Sequence, residues 1–174
     1  MLALSHAGPE NPVLTTPRAN SRLRYLNDVV VTYKATDKIS FTTEGNYIKD
    51  DAFRAEGYGA AQYVSYALTD TVTLNGRAEI WRDNSGFFVA TFPGNTDYVR
   101  SEAGLPNTSL AGKPTTYSEF TAGVTIKPSV PAAISTLLVR PELRYDRALN
   151  GSRPFNGGRS NGALTLAADV VLGF

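Results

Sequence analysis

The stretch NGALTLAADVVLGF, residues 161–174, decides the fold class that we predict for this chain. Its residues fall into two alternating sets, one apolar and one mixed. The apolar set is Leu164, Leu166, Ala168, Val170, Leu172 and Phe174, and the mixed set is Thr165, Ala167, Asp169, Val171 and Gly173. A period of two residues is typical of a β-strand with one apolar face. The pattern therefore predicts a β-strand that ends on an aromatic side chain.

The aromatic end of this strand favours a membrane environment. In an outer-membrane β-barrel, a final Phe closes the sheet at the membrane interface and joins an aromatic girdle. We therefore predict that Leu172 and Phe174 form a membrane-insertion signal through which the barrel-assembly machinery engages the last strand. A buried last strand of a secreted, soluble β-sandwich remains the alternative, because its core would produce the same period.

Composition excludes several classes of function. The chain has 174 residues and a net charge of +1, so no strong electrostatic attraction to nucleic acid is implied. It has no Cys, which excludes disulfides and thiol-based sites, and a single His, His6. Hydrolytic chemistry on a barrel usually needs a positioned base, commonly His. We therefore predict no catalytic residues, no metal site and no cofactor, and we expect no enzyme activity.

The alternation of the last strand recurs along the chain. We predict strands in residues 22–34, 39–49, 57–68, 71–83, 116–127, 135–146 and 161–174, and no segment has a convincing helical period. The sequence thus predicts an all-β, antiparallel transmembrane β-barrel with about seven meander strands. Residues 1–21 are predicted as an irregular N-terminal segment, and residues 22–174 as the barrel with a long extracellular loop at 84–115.

The connections between these strands are predicted to differ in length. Those near Ala35, Thr69 and Pro128 are short, whereas those near Asp50, Asn84 and Arg147 are longer. Outer-membrane barrels have short periplasmic turns and longer extracellular loops. Counting back from Phe174 puts every short connection on the periplasmic side. The order of the connections therefore supports the membrane version.

Charged side chains of both signs occupy the mixed set of positions in these strands. In a soluble barrel they would face bulk water, whereas in a membrane barrel they would line an aqueous lumen. Period alone does not separate the two, but loop lengths and the terminal aromatic favour the lumen. The predicted pore-lining residues are Arg24, Asp28, Glu44, Arg77, Glu79, Glu119, Arg140, Glu142, Arg144 and Asp169. Pro141, which has no N–H to donate, predicts a local bulge.

The strand count leads to an expectation about completeness. Bacterial single-chain barrels have an even number of strands and at least eight, whereas seven are predicted here. An open sheet in lipid leaves unpaired backbone groups, each costing on the order of several kcal/mol. Residues 1–7, MLALSHA, lack the features of a secretory signal. We therefore expect the C-terminal part of a larger barrel, or closure by assembly into a homo-oligomer.

Four motifs give the chain a family resemblance. They are RPELRYD at 140–146, VVVTYKATDK at 29–38, YALTD at 66–70 and RAE at 77–79. With them, the chain from about residue 22 onward resembles the OmpL-like β-barrel porins of Gram-negative bacteria. The resemblance implies an outer-membrane barrel with passive pore activity and no enzyme chemistry.

We accordingly expect a porin-like channel for small polar solutes or ions, located in the bacterial outer membrane. Its expected partners are outer-membrane lipid and lipopolysaccharide, the barrel-assembly machinery and the small solutes themselves, but no nucleic acid. Two alternatives stay open. One is an outer-membrane barrel with a surface-binding, adhesion or structural role, and the other is the secreted β-sandwich.

Overall fold

The computed structural model describes residues 1–9, 21–89, 112–131 and 133–174, and these form a single eight-stranded antiparallel sheet. The strands are β1 (Leu2–Gly8), β2 (Arg24–Lys34), β3 (Ile39–Asp50), β4 (Ala55–Ala67), β5 (Val72–Asp83), β6 (Thr115–Ile126), β7 (Thr136–Ala148) and β8 (Gly162–Gly173). Each strand pairs with the next along the chain, so the order in the sheet is the order in the sequence. The predicted all-β antiparallel meander is confirmed. Among the described residues, no helix is long and apolar enough to cross a membrane.

The irregular segment predicted for residues 1–21 is wrong at its start, because β1 lies within it. β1 pairs with β2 from Leu2 opposite Val30 to Gly8 opposite Arg24. The structure therefore has eight strands where about seven are predicted. Within the described residues, nothing pairs with the outer edges of β1 and β8, so the sheet is not closed. Short β1 escapes sequence analysis because backbone pairing, rather than a long apolar period, fixes it.

The longer connection predicted near Asp50 is also wrong. β3 and β4 are joined by residues 51–54, a turn as short as those at 35–38 and 68–71. The Asp50 carboxylate accepts hydrogen bonds from the backbone N–H groups of Ala52 and Phe53, at 2.9 and 3.1 Å. Side-chain bonds to nearby N–H groups are how Asp stabilises tight turns. The difference in length holds for the other connections, and residues 90–111 of the predicted extracellular loop lie outside the described residues.

At Pro141 the predicted bulge is absent. Gly123 pairs with Glu142 and Ile126 pairs with Val139, so the register of β6 against β7 is the same on both sides of the proline. The ladder instead loses its pairs between these two points, while pairing with β8 continues without a break. A missing donor is therefore accommodated by interrupting one ladder, without inserting a residue.

The pairing register separates the side chains into two faces, which we call the apolar face and the polar face. Large apolar side chains of the apolar face are exposed: Leu166 is 81% exposed and Phe120 is 58% exposed. Others on this face are Val29, Phe41, Val64, Leu74, Ile80, Leu143 and Val170. The small buried cluster of the molecule, Tyr117 with Ala148, lies on the polar face. We call the edge at residues 51–54 and 84–89 the loop end, and the edge at 35–38 and 68–71 the turn end.

Candidate pore-lining face

All ten charged residues predicted to line a pore lie on the polar face. Their cross-strand neighbours establish this, because directly paired residues point to the same side of a sheet. The pairs run from Arg24 with Asp50 on β2 and β3 to Arg140 with Asp169 on β7 and β8. The structure therefore brings the ten side chains to one surface, and their role in lining a pore stays a prediction.

A charge network crosses the middle of this face. Glu79 and Glu119 are directly opposite each other on β5 and β6, an arrangement that is unfavourable for two carboxylates alone. Arg77 relieves it, because its guanidinium pairs with Glu79 and lies 3.3 Å from Oε2 of Glu119. Thr121 donates a further hydrogen bond to the carboxylate of Glu119. One arginine thus serves two acidic side chains.

The network continues onto β4 and β3 through an aromatic ring. The Arg77 guanidinium carbon lies 5.3 Å from the ring centre of Tyr63, within the range of a cation–π contact. The Tyr63 hydroxyl in turn donates a 2.8 Å hydrogen bond to Glu44. Four neighbouring strands, β3 to β6, are therefore linked by side-chain contacts on the polar face.

The last two strands carry a more exposed pair. The Nε and Nη2 atoms of Arg140 donate to the two carboxylate oxygens of Asp169, at 2.7 and 2.5 Å. This two-pronged geometry is the specific mode of arginine–carboxylate pairing. Both side chains remain about half exposed, at 47% and 55%, so the ion pair faces solvent and contributes little to folding.

At the loop end, one buried carboxylate organises the start of a long connection. Asp83 is fully buried and accepts hydrogen bonds from the five successive backbone N–H groups of residues 85–89. Sequence analysis did not single out this residue. The only signal was its position before Asn84, Ser85 and Gly86, since this composition is typical of a turn. The effect is to hold residues 84–89 against the polar face.

Aromatic side chains also gather at the loop end, and sequence analysis did not identify this cluster. Trp81 lies against Gly57 and Gly59 of the neighbouring strand, where an added Cβ atom would come within 2.6 Å of the indole. Phe88 meets Trp81 edge-on at 6.1 Å, and Phe155 meets Tyr117 at 6.3 Å. The available signal was that Trp81 and Tyr117 occupy positions with the parity of the charged residues.

The polar face contains open space and lacks features of a metal centre. A cavity of about 460 Å³ lies between Tyr63, Arg77, Arg140, Glu142 and Asp169. No group of three or more His, Asp or Glu side chains in the described part of the chain is placed to hold a metal ion. The arrangement can present alternating charges to water and solutes.

Comparison with known proteins gives one match. A family model described as "Putative beta-barrel porin-2, OmpL-like" matches residues 1–174. Searches of the curated proteins and of the solved structures found no match.

Proposed function

The chain belongs to the family of OmpL-like β-barrel porins, and on this premise we propose that it forms a passive channel for small polar solutes or ions in a Gram-negative outer membrane. One observation carries the proposal: large apolar side chains of the apolar face are exposed, while seven of the ten charged side chains on the other face are buried or half-buried.

This distribution is the reverse of that in a soluble domain. Soluble proteins bury apolar side chains, and contiguous exposed apolar surface larger than a few hundred Å² marks an interaction with a membrane or partner. A transmembrane barrel carries its apolar band outward into lipid and keeps a polar interior. The exposed apolar face fits lipid, and the network around Arg77 fits a water-filled lumen.

The soluble alternative fits the fold less well. A β-sandwich needs two sheets whose apolar faces pack against each other. The described strands form one sheet, and its apolar face has no second layer. The alternative role in adhesion would depend on the extracellular loops, whereas passive diffusion would depend on the polar face. Conductance that persists after the loops are shortened would separate passive diffusion from adhesion.

Several partners follow from the proposed function. The apolar face contacts outer-membrane lipid and lipopolysaccharide, and the polar face contacts small solutes. Leu172 and Phe174, both exposed, serve as the signal by which the barrel-assembly machinery engages β8. Assembly of several copies would pair the open edges of β1 and β8. The function requires no catalytic chemistry and no cofactor.

Channel activity is tested with the native protein recovered from the outer-membrane fraction. We expect stepwise increases in current when the protein is added to a planar lipid bilayer, with a current that does not depend on an energy source. Absence of the protein from the membrane fraction, or a bilayer that stays non-conducting with folded protein inserted, would contradict the proposal.

A further inference from the structure

A second, smaller pocket lies at the loop end of the polar face. Its volume is about 200 Å³, enough for a solute of a few heavy atoms. Carboxylates of three strands and several aromatic side chains line it. The lining residues are Glu79, Trp81, Val89, Tyr117, Glu119, Arg144, Asp146 and Phe155.

The charges around this pocket do not cancel. Arg144 is bound by Asp146 through two hydrogen bonds of 2.8 and 2.7 Å, so these two charges neutralise each other. Arg77, just outside the lining, is shared between Glu79 and Glu119. Three carboxylates therefore meet two guanidinium groups, and one negative charge remains in excess.

The pocket also contains the buried hydroxyl of Tyr117. Tyr117 is 6% exposed, and its Oη makes no hydrogen bond within the described residues. A buried polar group without a hydrogen bond destabilises the folded protein. Glu119, only 3% exposed, has an Oε2 atom that contacts Arg77 at 3.3 Å without forming a hydrogen bond. Within the described residues, both oxygen atoms therefore have an unused capacity to accept a hydrogen bond.

The aromatic side chains of the pocket, like its excess negative charge, favour a cationic ligand. Trp81, Tyr117 and Phe155 border the pocket, and aromatic faces attract cations through their quadrupoles. An anion would meet no uncommitted guanidinium group, because both arginines are already paired. A neutral polyol could use the hydrogen-bond acceptors, but it would gain nothing from the excess charge.

We infer that this pocket is a binding site for small organic cations that carry a primary ammonium group. The ammonium donates to Glu119 and to the Tyr117 hydroxyl, and the aromatic side chains cover the rest of the solute. The inference rests on the proposed channel function and deepens it, because it assigns a class of solute that is retained at the loop end of the pore.

The only tryptophan of the chain gives a direct readout, because Trp81 borders the pocket. Three probes of similar size are titrated against the full chain in lipid vesicles: ethanolammonium, neutral ethylene glycol and anionic glycolate. We expect a saturable change in tryptophan emission with ethanolammonium alone. An equal response to either of the other probes, or no saturable response to any, would overturn the inference.

Variants test the assignment of the two oxygen atoms. Glu119→Gln keeps the shape and removes the charge, and should weaken ethanolammonium binding by about tenfold or more. Asp70→Asn, in the turn at 68–71, removes one negative charge far from the pocket and should leave the affinity unchanged. Tyr117→Phe removes only the hydroxyl and should weaken binding severalfold. This variant tests the site if the Glu119 variant does not fold. Unchanged affinity in folded Glu119→Gln and Tyr117→Phe proteins would contradict the site.

Conductance measured on the same samples distinguishes this inference from the proposed function. Protein that conducts without binding ethanolammonium would overturn the pocket assignment alone. Protein that binds ethanolammonium without conducting would overturn the channel alone.

Discussion

On the apolar face, side chains such as Phe120 and Leu166 project outward, whereas on the polar face Arg77 contacts Glu79, Glu119 and the ring of Tyr63. The stability of the apolar face depends on the solvent around it, whereas the stability of the polar face depends on contacts between its own side chains. Because successive residues of a strand alternate between the faces, neighbours in sequence should respond differently to the same substitution. The effect of an introduced charge on stability should therefore depend on the face that carries it, rather than on the residue type that it replaces.

The largest effect should come from placing a charge on the apolar face. Leu166→Arg in β8 should lower the free energy of unfolding in lipid vesicles by about 2–4 kcal/mol, because the guanidinium would sit in hydrocarbon. The matched variant is Ala167→Arg. Residue 167 follows Leu166 in the sequence but lies on the polar face, directly opposite Glu142. This variant should change stability by about 0.5 kcal/mol or less. Equal destabilisation of both variants in urea titrations would contradict the assignment of the faces.

A smaller effect should come from the aromatic cluster at the loop end. Gly59→Ala would place a Cβ atom 2.6 Å from the indole of Trp81 and 2.7 Å from the carbonyl oxygen of Ile80, so both the ring and the backbone must move. We expect a loss of about 1–3 kcal/mol in the free energy of unfolding and a shift in tryptophan emission. Gly45→Ala is the control, since a Cβ atom there meets nothing within 4 Å. A Gly59 variant as stable as the control, with unchanged emission, would mean that the indole does not pack there.

The smallest effect on stability should come from the exposed charges of β7. Arg140→Ala combined with Arg144→Ala frees the carboxylates of Asp169 and Asp146, and should shift the reversal potential of the channel toward cation selectivity. Asp169→Asn should shift it in the opposite direction. Reversal potentials in a salt gradient measure both, and values equal to those of the unaltered protein would reject a role in selectivity.

Sequence analysis could predict the two faces because a period of two residues can be recognised within each strand, before it is known which strands are neighbours. The ten charged positions and the apolar positions opposite them required only parity within each strand. β1 was missed because its seven residues contain only two large apolar side chains, Leu2 and Leu4, which is too short a period to predict a strand. Pairing with β2 fixes this strand, and it places both leucines on the polar face, opposite Val30 and Asp28.

Other features depend on contacts that no single stretch of sequence contains. The turn at 51–54 is tight because the Asp50 side chain bonds to backbone N–H groups, which loop composition alone does not reveal. The small pocket requires the register of β5, β6 and β7 together with Phe155 from the following connection. Parity places Trp81 and Tyr117 on the correct face, but only the register brings Tyr117 beside Trp81 and Glu119 beside Asp146.

The central claim is that the apolar face contacts lipid and the polar face contacts water. The chain has no Cys, so single cysteines can be introduced at consecutive positions of β8 without background. With the protein in lipid vesicles, a membrane-impermeant thiol reagent should label Thr165→Cys and Ala167→Cys, and leave Leu166→Cys and Ala168→Cys unlabelled. Labelling that shows the opposite alternation, or none, would contradict the account.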